Sequence, residues 1–536
     1  MLNIKQWQNW QIILLILIIL FPLYSINLGV NSLWDLDEGV YSEMSREMLL
    51  RDDFINTYFN YSPRFDKPPL VLWVTAFFYS IFGVSELTTR IGLVIFSFLN
   101  ITVLYYFADL LFNRRTAIIA SIILGTSFQY VIQSRILYMD VPLTLFITAS
   151  LILFYLGFNR DRKYYIFMGI SLALGTLVKG PIAIGLPGLI VLFYIGPINL
   201  FKEFKYSKTW LATLVYFIVA LPWHILVYLN HGNQFLADYF GYHMITRFST
   251  AIETHGGPWY YYIFILFLGI FPWSAFIPWL FPMIKNSWQT HKDKYKLLIS
   301  WILVIFIFFS IASTKLPGYI LPTYPAFAIL IAAWWDKLLK SSTNIKKFLT
   351  SNSIILLIGI LMLVGLNYIR PMVENELSEY IEVLDILIYF PIIFIVGGII
   401  SFSVYFWKEK KLRALLTYIL IGYISLLMII TMVLPLADEF KPAKTLAESL
   451  PNNLASNTKV VSSLEMEPAS LVFYSKTEVK YIRDVKKLEN YLKTNKAVYA
   501  YVDKKDYQEI KNNINYLEII KEYKDMKVIK NFRGDK

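Results

Sequence analysis

Long apolar runs separated by short polar segments fill the first 436 residues of the chain. Most of these runs are close in length to the about 20 residues that an α-helix needs to cross a bilayer. This pattern predicts an all-α polytopic membrane domain over residues 1–436. The fourteen runs are 11–30, 69–84, 91–112, 116–133, 141–158, 164–179, 181–197, 209–229, 259–284, 297–313, 319–338, 348–369, 386–407 and 414–436.

Basic residues in the short polar segments indicate which runs cross. Lys and Arg concentrate on the cytoplasmic side of membrane proteins. Clusters such as Arg114/Arg115 and Lys408/Lys410 all fall on that side only if the 16-residue run 69–84 does not cross. We therefore expect about 13 transmembrane helices from this rule. It also predicts a long first outer loop over residues 31–90 and an extracytoplasmic C-terminal segment.

Residues 437–536 show short alternating segments in place of apolar runs. Alternation of this kind is typical of strands, and the intervening segments have helical periodicity. We expect a small C-terminal α/β extracytoplasmic domain. Its predicted strands are 459–464, 477–482 and 496–502, and its predicted helices are 485–493 and 506–514.

Segment 39–50 of the first outer loop also has helical periodicity, with Tyr41, Met44 and Met48 on one face and charged residues elsewhere. This arrangement predicts an amphipathic helix that lies in the membrane interface.

The composition agrees with a membrane protein. Of 536 residues, 57% are hydrophobic and 16% charged, whereas soluble proteins carry about 25% charged residues. The net charge of +12 is spread over short loops, so it does not indicate nucleic-acid binding. The chain has no cysteine, which excludes thiolate catalysis and Cys-ligated metals.

Ionisable residues cluster in five outer segments, which we expect at one membrane face. They contain two carboxylates of interest, Asp37 and Asp140. Each has an ordinary explanation as a residue that starts a helix, and Glu38 in the same turn as Asp37 fits the helix dipole as well. Together the two carboxylates could divide acid and base roles or hold a divalent cation. No obligatory cofactor is predicted, and metal ligands are unknown. The segments are 34–41, 64–70, 135–140, 242–248 and 313–322.

Four cations, Lys67, Arg90, Arg247 and Lys315, are expected outside, against the positive-inside trend. They either contact lipid headgroups or form a phosphate clamp. Lys179, at a turn between two runs, is expected near the outer face without an assigned role.

Several motifs in order along residues 10–340 resemble those of polyprenyl-phosphate-sugar-dependent glycosyltransferases with the GT-C fold. Protein O-mannosyltransferases and lipid A aminoarabinose transferases are the similar families. The motifs are WDLDEGVYSEMSREML, FDKPPL with Arg90 after it, RILYMD followed by Pro142, LVKGP, HGGPWYYY, FPWS and KLPGYILPTYPA.

The resemblance implies roles for individual residues. Asp37 matches the catalytic acid of the first outer loop, and Asp140 matches a second acidic position near the site. Lys67, Arg247 and Tyr319 match positions that hold the carrier phosphate. We count as substrate-binding candidates Glu38, Asp66, Lys67, Arg90, Arg247, Lys315 and Tyr319.

The expected function is transfer of a sugar from a polyprenyl-phosphate carrier to a lipid, glycan or protein hydroxyl, with inversion and with Asp37 as general base. We expect a multi-pass protein of the cytoplasmic membrane, surrounded by membrane lipids, with its active site outside. The alternatives are a transporter or flippase of a lipid-linked sugar and a non-catalytic assembly protein.

Overall fold

The computed structural model describes residues 7–35, 37–250, 256–340, 345–376, 381–406, 411–451, 454, 458–464, 468–494 and 497–531, with backbone alone at 245, 247, 345, 375 and 376. The chain divides into two compact units. The first, here called the membrane unit, comprises Met1–Leu28, Asp66–Val71 and Gly92–Leu434. The second, the loop–tail unit, comprises Gly29–Phe65, Leu72–Ile91 and Pro435–Lys536. The first outer loop therefore groups largely with the C-terminal residues, whereas the sequence pattern places it with the membrane domain.

Helices account for nearly all regular structure before residue 439. Their apolar composition matches the runs seen in the sequence. The α-helices are Asn9–Ser25, Asp37–Arg51, Leu70–Phe82, Glu86–Leu111, Arg114–Gly125, Phe128–Gln133, Asp140–Asn159, Tyr164–Lys179, Ile182–Ile195, Pro197–Glu203, Ser207–His231, Asn233–Phe235, Arg247–Ser249, Tyr261–Gly269, Leu280–Ile311, Tyr324–Lys340, Ile345–Glu376, Ile381–Leu387, Tyr389–Phe406, Lys411–Met428 and Leu434–Asp438. The 3-10 helices are Trp273–Trp279 and Pro317–Thr323, and the π-helices are Leu236–Thr246 and Ile429–Val433.

The protein is a multi-pass membrane protein. Within the described residues, eight helical stretches are long and apolar enough to cross a bilayer, or nine if the bent pair Ile182–Ile195 and Pro197–Glu203 forms one span. Three shorter apolar helices, Asn9–Ser25, Leu70–Phe82 and Tyr164–Lys179, accompany them. The figure of 13 crossings stays a prediction. Leu70–Phe82 is about 20 Å long against a hydrocarbon core of about 30 Å, which favours its assignment as a helix that does not cross.

The helix Asp37–Arg51 begins the loop–tail unit's regular structure. Our interpretation of it as an amphipathic interfacial helix was wrong, because Glu43 and Glu47 are buried as fully as Tyr41 and Met44. The two carboxylates pair along the helix with arginines, Glu43 with Arg46 at 2.7 Å and Glu47 with Arg51 at 3.3 Å. A short hairpin, Tyr58–Phe59 and Ser62–Pro63, follows in the same loop.

The C-terminal α/β fold is confirmed, and the sheet has five strands where the sequence pattern predicted three. In spatial order they are Val479–Tyr481, Lys459–Ser462, Val498–Asp503, Met526–Asn531 and Leu517–Tyr523. The first three are parallel, and the last two form an antiparallel hairpin that extends the sheet.

Alternate residues of the central strands supply two apolar cores, one on each face of this sheet. Tyr499 and Tyr501 belong to one core, and Val498 and Ala500 belong to the other. Helices therefore cover both faces, as expected for parallel strands. These helices are Ala443–Ala447, Ala469–Ser475, Val485–Thr494 and Lys504–Asn513.

Candidate functional site

Asp140 and Lys179 form an ion pair in the membrane unit. Asp140 begins the helix Asp140–Asn159 and Lys179 ends the next helix, Tyr164–Lys179, so the short turn between them brings both residues to one end of a helix pair. Lys179 Nζ lies 2.5 Å from Asp140 Oδ1, and the two side chains retain 15% and 13% of their accessible surface. The helix dipole favours a negatively charged residue at the start of a helix and a positively charged residue at its end.

Tyr319 lies beside this pair. The Lys179 ammonium lies over the Tyr319 ring, 4.7 Å from its centre, in a cation–π contact. The preceding residue, Gly318, abuts Asp140, because a Cβ built there would overlap the carboxylate. The structure thus brings two predicted residues, Asp140 and Tyr319, together with Lys179, whose role sequence reasoning did not assign. The motif LVKGP, which contains Lys179, was the feature of the sequence that could have indicated this role.

Lys315 is a second buried cation of the membrane unit. Its Nζ donates hydrogen bonds of 2.8 Å to the carbonyl oxygens of Ser310 and Ala312, at the end of the helix Leu280–Ile311. It also lies 5.9 Å from the centre of the ring of Tyr262, a residue of the HGGPWYYY motif that is not among the predicted site residues. Burial lowers the pKa of Lys315 below that of an ordinary lysine.

Asp66 and Lys67 are adjacent in the same unit. Asp66 is buried and Lys67 is half-buried, with its Nζ donating to the Asp66 carbonyl oxygen at 3.0 Å. Arg247 begins the short helix Arg247–Ser249, and its side chain lies outside the described part of the structure.

Asp37 lies in the loop–tail unit as the first residue of the helix Asp37–Arg51, which confirms its predicted first-turn position. Its side chain is half-buried. Within the described residues, its carboxylate accepts a long hydrogen bond of 3.4 Å from the Tyr41 hydroxyl. The carboxylate of Asp37 is therefore weakly held and partly accessible, whereas Glu43 and Glu47 of the same helix are buried in ion pairs.

Glu38 and Arg90 form a buried pair in this unit. Arg90 donates to both Glu38 carboxylate oxygens, at 2.8 and 3.0 Å, and to the carbonyl oxygens of Asn31 and Ser32. The Glu38 carboxylate also accepts from the Trp34 amide at 2.8 Å. Because 3% or less of either side chain is accessible, we assign the pair a structural role in place of the substrate contact expected from the sequence.

In the described stretches, no group of three or more His, Asp and Glu side chains is arranged to hold a metal ion. Asp140 has an ammonium group as its near neighbour. A divalent cation at the carboxylates stays a prediction.

Comparisons with known proteins agree with this architecture. Residues 66–226 match the dolichyl-phosphate-mannose-protein mannosyltransferase family. The undecaprenyl phosphate-alpha-4-amino-4-deoxy-L-arabinose arabinosyl transferase of Edwardsiella ictaluri is 32% identical over 64% of the chain, and the match spans 63% of that relative's own length.

Two solved structures share the fold. ArnT from Cupriavidus metallidurans bound to undecaprenyl phosphate superposes with a TM-score of 0.85 at 19% identity, covering 97% of this chain and 98% of that one. The archaeal oligosaccharyltransferase AglB from Archaeoglobus fulgidus has a TM-score of 0.51 at 13% identity, covering 95% and 71%. The architecture shared with these structures is the GT-C fold, and the sequence of the chain is similar to those of glycosyltransferases.

Proposed function

We propose that the protein transfers a sugar from a polyprenyl-phosphate carrier to a hydroxyl group of a lipid, glycan or protein, with inversion at the anomeric carbon. The observation that carries the proposal is the grouping of Asp140, Lys179 and Tyr319 in the membrane unit. A half-buried ion pair in contact with a tyrosine ring at the end of a helix pair is a costly arrangement beside lipid, and such residues are usually retained for function.

The donor class is supported by the proteins that share the fold or the sequence. The Edwardsiella ictaluri relative is named for a sugar on undecaprenyl phosphate, and the ArnT and AglB structures contain undecaprenyl phosphate and dolichol-phosphate. All three names specify an isoprenoid phosphate. We assign Lys67, Arg247, Lys315 and Tyr319 to the phosphate of such a donor, because cations and hydroxyl groups stabilise the charge that develops on it as it leaves.

Asp37 is the proposed general base. It accepts the proton of the acceptor hydroxyl while the hydroxyl oxygen forms a bond to the anomeric carbon. The bond between that carbon and the phosphate oxygen breaks, and its electron pair leaves with the phosphate. The phosphate is a good leaving group, so no general acid has to protonate it. A single carboxylate base and several cations therefore suffice for the displacement.

We further propose that this chemistry occurs at the extracytoplasmic face of the cytoplasmic membrane. The charge of the short loops supports this orientation, since the clusters that include Arg114/Arg115 then lie inside.

The substitution Asp37→Asn tests the base. Asn retains the shape and begins a helix about as well as Asp, but it cannot accept the proton. Transfer from a polyprenyl-phosphate sugar should fall roughly 10²–10⁴-fold, with donor affinity unchanged. The matched control is Asp52→Asn, an exposed carboxylate of the same loop, which should transfer at the wild-type rate. An Asp37→Asn protein that works as fast as this control would remove Asp37 from the mechanism.

A further inference from the structure

Within the loop–tail unit, Asp35 is tied to the C-terminal domain. Its Oδ1 accepts a hydrogen bond of 3.1 Å from the Ser470 amide and a second, short one from the Ser470 hydroxyl. Ser470 is buried and lies in the first turn of the helix Ala469–Ser475. Burial raises the pKa of Asp35, and the Ser470 hydrogen bonds partly offset this. One carboxylate oxygen of Asp35 thus accepts both hydrogen bonds.

The backbone before Asp35 is held by the same domain. The Leu33 amide donates to the Tyr474 hydroxyl at 2.7 Å, and the Ser32 amide donates to the Asp438 carboxylate at 2.9 Å. Lys441 donates to the Ser32 carbonyl oxygen at 2.8 Å. Consecutive residues of the first loop therefore obtain their hydrogen-bond partners from residues more than 400 positions later.

The backbone after Asp37 is held by close packing. A Cβ built on Gly39 would lie 2.5 Å from the Ser470 nitrogen and 2.9 Å from the Ala469 carbonyl carbon. Real Cβ atoms do not approach other atoms so closely, so only glycine allows the helix Asp37–Arg51 to contact the Ser470 backbone. The contact fixes the helix two residues beyond Asp37.

We propose that the C-terminal domain positions the proposed catalytic carboxylate, with Ser470 as the contact point on both sides of Asp37. Asp35 and Gly39 meet the same residue, and Asp37 lies midway between them. Asp35, Gly39 and Ser470 are positioning residues: they hold the turn in which Asp37 begins its helix and leave its carboxylate partly accessible. This inference rests on the proposed function of Asp37, and it gives the C-terminal domain a role in catalysis.

The geometry of Asp35 permits a sharp test, because both hydrogen bonds end on one oxygen. Asp35→Ala removes that acceptor, whereas Asp35→Asn retains an Oδ1 that accepts both bonds but has no charge. We expect kcat of Asp35→Ala to fall roughly 10- to 100-fold, as for a displaced catalytic group, with the donor KM unchanged. Asp35→Asn should restore most of the wild-type kcat.

The matched control is Asn60→Gly. Asn60 also joins the first loop to the C-terminal sheet through two hydrogen bonds, of 2.8 and 2.9 Å, with the backbone of Val479. Its φ is 53°, so glycine removes both hydrogen bonds without the backbone strain that alanine would add. Asn60 is far along the chain from Asp37, so its loss should leave kcat close to wild type. An equal loss in Asn60→Gly would overturn the assignment to Ser470. So would wild-type kcat in Asp35→Ala, or failure of Asp35→Asn to restore kcat, since Asp35 would then act through its charge.

Hydrogen exchange of the purified full-length protein gives a readout independent of activity. The amides of residues 37–41 should exchange about tenfold faster in Asp35→Ala, which is the equivalent of losing one to two hydrogen bonds. Ser470→Ala removes one of the two bonds and should give a smaller increase, which provides a second variant if Asp35→Ala folds poorly. If the wild-type protein transfers no sugar, the proposed function fails, whereas unchanged exchange in both variants refutes the positioning role itself.

Discussion

Replacement of Arg90 by Met should destabilise the protein and leave donor binding intact. Both Arg90 and Glu38 are almost fully buried, and Arg90 donates two hydrogen bonds to Glu38 and two to backbone carbonyl oxygens. Met fills a similar volume but leaves the Glu38 carboxylate without its cation. Removal of one partner from a buried pair costs about 3–5 kcal/mol of the free energy of unfolding.

The measurement is unfolding in detergent micelles, followed by tryptophan fluorescence, together with titration of polyprenyl phosphate onto the folded protein. The control is Arg370→Met, which breaks an exposed pair with Glu374 and should cost about 0–1 kcal/mol. The double variant Arg90→Met with Glu38→Met should recover part of the loss, because paired apolar residues need no counter-charge. The recovery is incomplete because the Trp34 amide also loses its partner.

An Arg90→Met protein as stable as the Arg370→Met control would contradict the structural role. If that protein also bound polyprenyl phosphate more weakly, Arg90 would return to the set of donor contacts expected from the sequence.

Two further experiments test the membrane unit and the topology. Gly318→Ala should reduce transfer strongly, because the added methyl group displaces the Asp140 carboxylate from Lys179. Its control is Gly185→Ala, where the new Cβ meets no atom within 4 Å. Equal activity of the two variants would show that the contact between Asp140 and Lys179 is dispensable. Single cysteines introduced into this cysteine-free chain report its orientation in the membrane. A cysteine at Ser85 should react with an impermeant thiol reagent added outside intact cells, and a cysteine at Asn113 should not. The opposite labelling would reverse the assigned membrane faces.

The features that depend on nearest neighbours along the chain were accessible from the sequence. Apolar runs near 20 residues long require helices in a bilayer, since every backbone polar group must be satisfied within the segment. The first-turn position of Asp37 follows from its place before a periodic segment, and three strands of the C-terminal sheet follow from alternation. The hairpin strands Met526–Asn531 and Leu517–Tyr523 escaped prediction because charged residues interrupt their apolar pattern.

The tertiary structure decided which ionisable residues are structural and which remain accessible. Arg90 and Lys179 are both cations expected near the outer face, and no local pattern separates them. Arg90 pairs with Glu38, which lies 52 residues away in the sequence, and Lys179 pairs with Asp140, which lies 39 residues away. Glu43 and Glu47 pair with arginines three and four residues further along their own helix, but only the packing of the fold decides that both carboxylates are buried. The partner of a charged side chain is set by the tertiary structure, so the function of that side chain cannot be assigned from its position in the sequence alone.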